Sequence, residues 1–384
     1  MKKITYCKKC LYPDTKPNLF INNEGVCSAC INYANRKTID WENRKKLFFE
    51  LVNKIKNSNL NTHDCIVPVS GGKDSTYQVL KALECGLTPL CVNASTDSIT
   101  PIGKKNLENI KDLGVDFIEV TLNKKIRKKI NRFSLETIGD ISWPEHVAIF
   151  TAPIRIAIQN NIKLILWGEN SQFEYGGPET AANKNVLDNI WLQEFGGLNN
   201  LRVFDLIDVD GIKKSDLIYY HYPNKEELNK ANIYGLFLGH YFPWDSYEHK
   251  VIAEKNGFKS WYKKVEGSYF DFENLDNYQT GIHDYFCFLK FGYGRATAQI
   301  SMEIRRGNII RPEALEFVTK NEGLFPTSYL DKPLEEILSE IEMTLEQFID
   351  ISDKFTNKKI FKTLPNGNLK KDNNLNLTKI NYDN

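Results

Sequence analysis

The chain has 384 residues, with 50 Lys and Arg against 49 Asp and Glu, for a formal net charge of +1. That balance argues against a generally basic nucleic-acid binder, and 12% aromatic content excludes intrinsic disorder of the whole chain. The length predicts two or three domain-sized units with enough chain to bury a sizeable core.

The first residues, MKKITYCKKCLYP, carry positive charge, but no apolar run follows them. No secretion signal is read there, and a reducing cytoplasm is the expected location. Within residues 1–35, Cys7-x-x-Cys10 is followed after sixteen residues by Cys27-x-x-Cys30. Each pair can turn two thiolates toward one ion, which is the spacing of a zinc ribbon. Four thiolates leave no open position, so such a site is structural. An iron–sulfur cluster is the competing occupant. Cys65, Cys85, Cys91 and Cys287 are isolated and read as core thiols.

Residues 41–57 place apolar groups at helical spacing with a basic outer face. Strand and helix then alternate. Strands are expected at 65–69, 89–92, 117–120 and 164–167, with helices at 75–84, 104–113 and 145–160. The apolar stretch 147–167 is interrupted by Pro153, Arg155, Gln159, Asn160, Asn161 and Lys163. It therefore reads as a buried helix and strand rather than a membrane span. Alternating strands and helices predict an α/β fold with a doubly wound parallel sheet, whose ligands lie at the carboxyl ends of the strands. Residues 176–200 are rich in Gly and Asn and read as a long loop. Helices follow at 281–306, 312–321 and 333–355, the last with a Thr344/Gln347 capping box. Few apolar groups follow residue 357, so a loosely ordered tail is expected over 357–384. The resulting division is a ribbon at 1–35, an α/β domain at 36–235, a mainly helical substrate-binding region at 236–356, and the tail.

The strand at 65–69 runs straight into Ser70-Gly71-Gly72-Lys73-Asp74-Ser75. Two glycines let the backbone turn sharply and approach an anion, and the following helix start points N–H groups at it. The spacing is neither the G-x-x-x-x-G-K-[ST] loop nor a G-x-G-x-x-G fingerprint. Residues 70–75 resemble the pyrophosphate-binding loop of the PP-loop, or N-type, ATP pyrophosphatases, a HUP-like fold. That resemblance implies adenylation of a substrate oxygen by ATP, with Mg²⁺, and displacement of AMP by a nucleophile. It assigns pyrophosphate to the backbone of Ser70, Gly71 and Gly72, added charge to Lys73, Mg²⁺ placement to Asp74, and a phosphate hydrogen bond to Ser75. Lys73 and Asp74 are thus the catalytic candidates. Asn93, at the end of the second strand, and Gly168, Glu169 and Asn170, after the strand at 164–167, agree with the nucleotide-binding positions of that superfamily.

Two polar–aromatic clusters lie further on: residues 239–245 (GHYFPWD), and His283-Asp284-Tyr285 with Leu289-Lys290-Phe291-Gly292-Tyr293-Gly294-Arg295. The second reads as one helical run carrying two costly glycines, which points to close contact there. His283, Tyr293 and Arg295 are candidate substrate-binding residues, suited to a sugar ring with charged substituents. The ribbon, the SGGKDS loop, WGEN at 167–170 and HDYxxxLKFGYGR at 283–295 together resemble the N-acetyl sugar amidotransferase family over roughly residues 1–350.

That resemblance implies an ATP-dependent amidotransferase that turns a sugar acetamido group into an acetamidino group. Relatives of this kind act on flagellin pseudaminic acid and lipopolysaccharide O-antigen sugars. The chain lacks a glutaminase signature, so a separate glutaminase–cyclase pair is expected to supply ammonia. No nucleic-acid or membrane partner is expected. The alternative is a PP-loop tRNA-thiolating enzyme, whose usual second Cys pair is missing after residue 30.

Overall fold

The computed structural model describes residues 4–58, 62–96, 98–177, 186–187 and 201–380. Of the expected loop at 176–200, only 176–177 and 186–187 fall among them; the rest lies outside the described residues.

A six-stranded sheet has the order β3-β2-β1-β4-β6-β5, with β1 (Cys65–Pro68), β2 (Pro89–Ala94), β3 (Asp116–Val120), β4 (Leu164–Trp167), β5 (Val186–Leu187) and β6 (Tyr234–Phe237). All pairs are parallel except β5 with β6. β1 and β4 are apolar at nearly every position because both faces of a parallel sheet are covered. Edge strand β3 keeps Asp116 and Glu119 exposed. The chain runs outward from β1 to β3, then resumes at β4 on the other side of β1. The point where strand order reverses is the crevice between the ends of β1 and β4.

One face is covered by α5 (Lys124–Ile138) and α6 (Trp143–Gln159), with residues 201–222 packed against them. The other face holds α2 (Trp41–Ser58), α3 (Lys73–Glu84) and residues 234–244. α4 (Pro101–Lys111) links β2 to β3. Helix α5 is not among the expected elements, although its signals are present. Asn123 caps its first N–H groups, Gly139 (φ +63°) ends it, and Ile130 and Leu135 are buried. Among the described residues, no helix is long and apolar enough to cross a membrane.

The C-terminal region is helical, and its core of aromatic and aliphatic side chains from 253 to 369 is continuous with Leu135 and Ile141 of the α/β part. Two of its boundaries differ from expectation. The single run 281–306 is two helices, Thr280–Phe291 and Arg295–Arg306. Gly292, at φ +75°, ends the first, and Gly294 is the N-cap of the second, so neither glycine sits inside a helix. Likewise, 333–355 divides into Leu334–Ser339 and Leu345–Phe355, and the expected Thr344/Gln347 capping box opens the latter. The expected loose tail is also corrected over its described part. Ile360 and Phe361 are buried in the C-terminal core, and residues 361–379 fold back through three antiparallel bridges. Two apolar anchors outweigh a polar composition because they pack on Phe288 and Gly292.

Candidate functional site

The loop 70–75 leaves β1 at the reversal point of the sheet. Gly71 has φ +89°, and a Cβ there would lie 3.1 Å from the Leu107 backbone nitrogen, so only glycine fits. α3 begins at Lys73, with its first N–H groups at the loop. Ser75 donates its hydroxyl to the Gly72 carbonyl at 2.9 Å, so in this geometry it closes the turn rather than facing outward.

Lys73 is buried. Its ammonium meets Asp74 at 2.7 Å and Glu273 at 2.9 Å. Burial alone would lower the Lys73 pKa, but the two carboxylates outweigh it and raise it. Burial likewise pushes Asp74 up, and Lys73 with His249 reverse that and hold the carboxyl well below its usual range. His249 Nδ1 lies 2.8 Å from the second Asp74 oxygen, and its ring is stacked on Tyr77 at 3.7 Å. Glu169 follows β4 and faces the same cavity. Burial and the nearby Asp74 raise its pKa to about 7. Across the cavity, Asp276 is raised to about 7 by burial and Glu145.

This cavity, of about 270 Å³, is bounded by residues 70–75, Glu169, Tyr175, Glu273, Asp276 and Arg295. A second, of about 240 Å³, opens at the ends of β1 and β2 and shares Ser70, Asn274, Asp276 and Arg295 with the first. Asn93 lines it; its amide donates to the Val69 carbonyl at 2.7 Å, leaving a buried side-chain oxygen without a partner. His283 lines it too. Its Nδ1 meets Asp140 at 2.8 Å, and Asp140 overcomes burial to raise the His283 pKa. His146 stands edge-on to that ring at 5.1 Å.

The expected residues thus divide. Ser70 to Ser75, Asn93, Glu169, His283 and Arg295 converge on two adjoining cavities. Gly168 instead lies against Trp244, and Asn170 opens the short helix Ser171–Tyr175 by accepting from Phe173 and Glu174 N–H groups. Tyr293 lines neither cavity. It packs edge-on against Tyr12 of the cysteine module at 5.7 Å. Glu273, His249 and Asp276 carry no motif. For His249 one local signal exists: Asp245 N-caps its helix, and the histidine falls four residues on, beside the 239–245 cluster.

Cys7, Cys10, Cys27 and Cys30 are all buried, and their sulfurs lie within 4.8 Å of one another. Tetrahedral thiolates at about 2.3 Å from one ion sit roughly 3.8 Å apart. Cys7–Cys30 at 3.9 Å and Cys10–Cys27 at 3.6 Å match that spacing. Backbone N–H groups of Lys9, Cys10 and Cys27 all donate to the Cys7 sulfur, as a charged thiolate requires. The sulfurs are too close to enclose a multi-iron cluster. The module is stitched to both sides of the cleft: Ser28 donates to the Gly176 carbonyl at 2.5 Å, and Thr15 to the Phe291 carbonyl at 2.6 Å.

Fold and site together define an α/β protein with a glycine-containing loop at the reversal point of a parallel sheet and a cluster of four cysteines that could hold a metal ion. Residues 260–372 match the family described as LPS biosynthesis protein WbpG-like, C-terminal domain. Comparison with curated proteins gives no match. Among solved structures, the chain is similar to a predicted subunit of tRNA methyltransferase from Methanocaldococcus jannaschii (15% identity, 61% of this chain and 91% of that chain, TM-score 0.29). It is also similar to NMN synthetase from Francisella tularensis (11% identity, 50% and 93%, TM-score 0.28). A third is the NH3-dependent NAD synthetase from Campylobacter jejuni with bound nitrate (12% identity, 57% and 96%, TM-score 0.29). Likeness at these scores carries no weight for function.

Proposed function

We propose that the chain is an ATP-dependent amidotransferase that converts a sugar acetamido group to acetamidino, in the synthesis of bacterial surface glycans or flagellin nonulosonic acids. One observation carries this reading. The cavity holding the anion loop is walled on its far side by Glu273, Asp276 and Arg295, which lie in the segment matching the lipopolysaccharide-biosynthesis family. A phosphate loop and a glycan-related domain thereby share one space.

In the proposed chemistry the acetamido oxygen attacks the α-phosphorus and pyrophosphate leaves. Ammonia then attacks the activated carbon, and AMP departs carrying the former amide oxygen, while two protons pass to solvent or base. The protein's tasks are positioning and charge neutralisation. The loop N–H groups and Lys73 hold the leaving pyrophosphate. Arg295, bordering both cavities, is set to meet the α-phosphate. Asn93 offers its unpartnered oxygen to the nucleoside. His283, oriented by Asp140, is suited to take a proton from the attacking amine.

Asp74, Glu169 and Glu273 line the cavity beside the loop, and although among the described residues they do not gather closely enough to hold an ion by themselves, they are oxygen donors for Mg²⁺ brought in on the nucleotide's phosphates. Bound there, the ion would neutralise phosphate charge. Cys7, Cys10, Cys27 and Cys30 would hold Zn²⁺ as a structural staple. A separate glutaminase is proposed as the source of ammonia.

Thiolation of tRNA is disfavoured because no cysteine lines either cavity. Burial pushes the Cys91 and Cys287 thiols up to about 12, the opposite of an activated sulfur. The test is high-resolution mass spectrometry of N-acetyl sugars and sugar nucleotides incubated with ATP, Mg²⁺ and ammonia. The product should be lighter by about one mass unit, with AMP and pyrophosphate formed one to one. ATP turnover without any change in the sugar would sink the reading.

A further inference from the structure

A cavity larger than the one at the phosphate loop lies elsewhere in the chain. A space of about 490 Å³ lies within the C-terminal region, and every residue lining it falls between 263 and 331. It is therefore built wholly from the segment that matches the lipopolysaccharide-biosynthesis family. The HDYxxxLKFGYGR segment gives it Asp284, Tyr285, Phe288 and Arg295, and Arg295 also borders both cavities at the strand ends.

Its walls have two characters. Tyr285 and Phe288, on the helix Thr280–Phe291, face the space with Phe325 and Tyr329. Tyr285 and Phe325 stand edge-to-face at 5.8 Å, and Tyr329 is fixed by donating its hydroxyl to the Asn274 carbonyl at 2.9 Å. Three anchored carboxylates line the same space. Glu266 accepts from the Leu330 N–H at 3.0 Å, Asp284 grips Arg295 at 2.9 Å, and Glu322 accepts from both Thr297 donors at 2.7 Å.

Glu322 occupies the N-terminus of the helix Arg295–Arg306, so that helix start is already filled by an anion. The interior therefore does not ask for a phosphate. Carboxylates retain acceptor capacity after one or two hydrogen bonds, and they suit donors such as hydroxyl groups. Aromatic faces suit the apolar side of a ring. Exposed Lys263 and Lys264 border the opening, Lys263 paired with Asp331 on the same rim, so that Lys264 is the cation beside which an acidic substituent would rest. At Arg295, Asp284 uses Nε and Nη2, and among the described residues Nη1 has no hydrogen-bond partner.

We infer that this cavity seats the sugar substrate: an N-acylated pyranose whose hydroxyls meet Glu266, Asp284 and Glu322. Its acidic group lies at Lys264, and its acyl end is directed past Arg295 to the phosphate loop. The assignment rests on the amidotransferase reading for its chemistry, but its test does not depend on turnover.

The full-length protein is titrated, with ATP present, against N-acetylglucosamine, UDP-N-acetylglucosamine and N-acetylneuraminic acid. Sugar contact is read by saturation-transfer NMR, and ATP affinity by a fluorescent analogue. The neutral, nucleotide-linked and free acidic sugars separate the sources of the acidic group, and one of the two acidic sugars should bind at least fivefold tighter than the neutral one. Thr327→Trp and Leu324→Trp, at exposed positions on the lining, should each weaken sugar binding at least tenfold while ATP affinity stays within twofold. Sugar binding that survives both substitutions, that ATP competes away, or that is absent for all three probes while ATP binds would overturn the assignment. Sugar bound in the cavity without any ATP binding would uphold it and remove the nucleotide reading instead.

Discussion

In the four-cysteine module, all four sulfurs come from residues 7–30, a single short stretch of chain. Around the phosphate loop the opposite holds. Lys73 is tethered by Glu273, Asp74 by His249, and the cavity is closed by Glu169 and Arg295, each from a different element. A closed metal site needs only ligands at the right spacing, so a short segment can contain it. A reacting site must surround its substrate, so its residues arrive from several elements. The module has no open coordination position, but it reaches both Gly176 and Phe291. It thereby ties the segment after β4 to the helices of the C-terminal region.

Metal removal should produce the largest effect. Structural zinc sites contribute on the order of 10–16 kcal/mol in isolated fingers, so chelation or Cys10→Ser should unfold the module. We expect one equivalent of zinc in the native protein by elemental analysis and none in the variant, with a lower Tm. ATP should still bind the residual α/β domain. Equal loss of zinc and of ATP binding would break the division between the two regions.

Next in size is Lys73→Ala. Losing one donor that stabilises developing charge costs on the order of 10²–10³-fold in kcat. Asp74 and Glu273 would also lose their shared partner, lowering stability by about 2 kcal/mol. Pyrophosphate release reads the first effect and thermal unfolding the second. Zinc content should be unchanged.

His249 sharpens the comparison because it reaches the loop from another helix. It acts through Asp74, as a positioning residue, and its ring is held by Tyr77 and Trp244. Removing a group that orients a metal-binding carboxylate typically costs 10–100-fold in metal affinity. His249→Ala should therefore raise the Mg²⁺ requirement about tenfold, and excess Mg²⁺ should restore much of kcat. A drop in kcat that no Mg²⁺ concentration relieves would argue against positioning.

The same contrast explains what could be read in advance. The parallel sheet was legible because buried strands such as LILW at 164–167 are short, continuous apolar runs between helical periods. The cysteine spacing was legible because geometry follows directly from it. Glu273 and Asp276 were not, since FDFENLD has neither period nor motif, and only tertiary packing brings it opposite the loop. Tyr293 looked like a substrate ligand from its neighbours, but the chain turns at Gly292 and aims it at Tyr12 instead. The tail was misjudged because composition averages over residues, whereas two anchors, Ile360 and Phe361, decide its packing.

The smallest expected effect concerns Glu169. Its carboxyl is raised to about 7 by burial first, then by Asp74 and Glu174, against the opposing pull of Lys73. A carboxyl raised above its unfolded value favours the folded state when protonated. That stability is fully present below about pH 4.5 and is lost as pH rises through about 7. Asp276 behaves alike, with its own value near about 7. The ligand-free protein should accordingly lose Tm between about pH 5 and pH 8, and Glu169→Gln should remove roughly half of that slope. A cation bound with ATP demands the ionised carboxylate, so binding at pH 6 should release protons. Calorimetry in buffers of different ionisation enthalpy measures that release directly. Glu169→Gln should cut it by up to one proton. Release that the substitution leaves unchanged would mean that the nucleotide's ion does not approach Glu169. The ion brought in on the nucleotide would then be met on the loop side, where Asp74 is the nearest carboxylate in sequence.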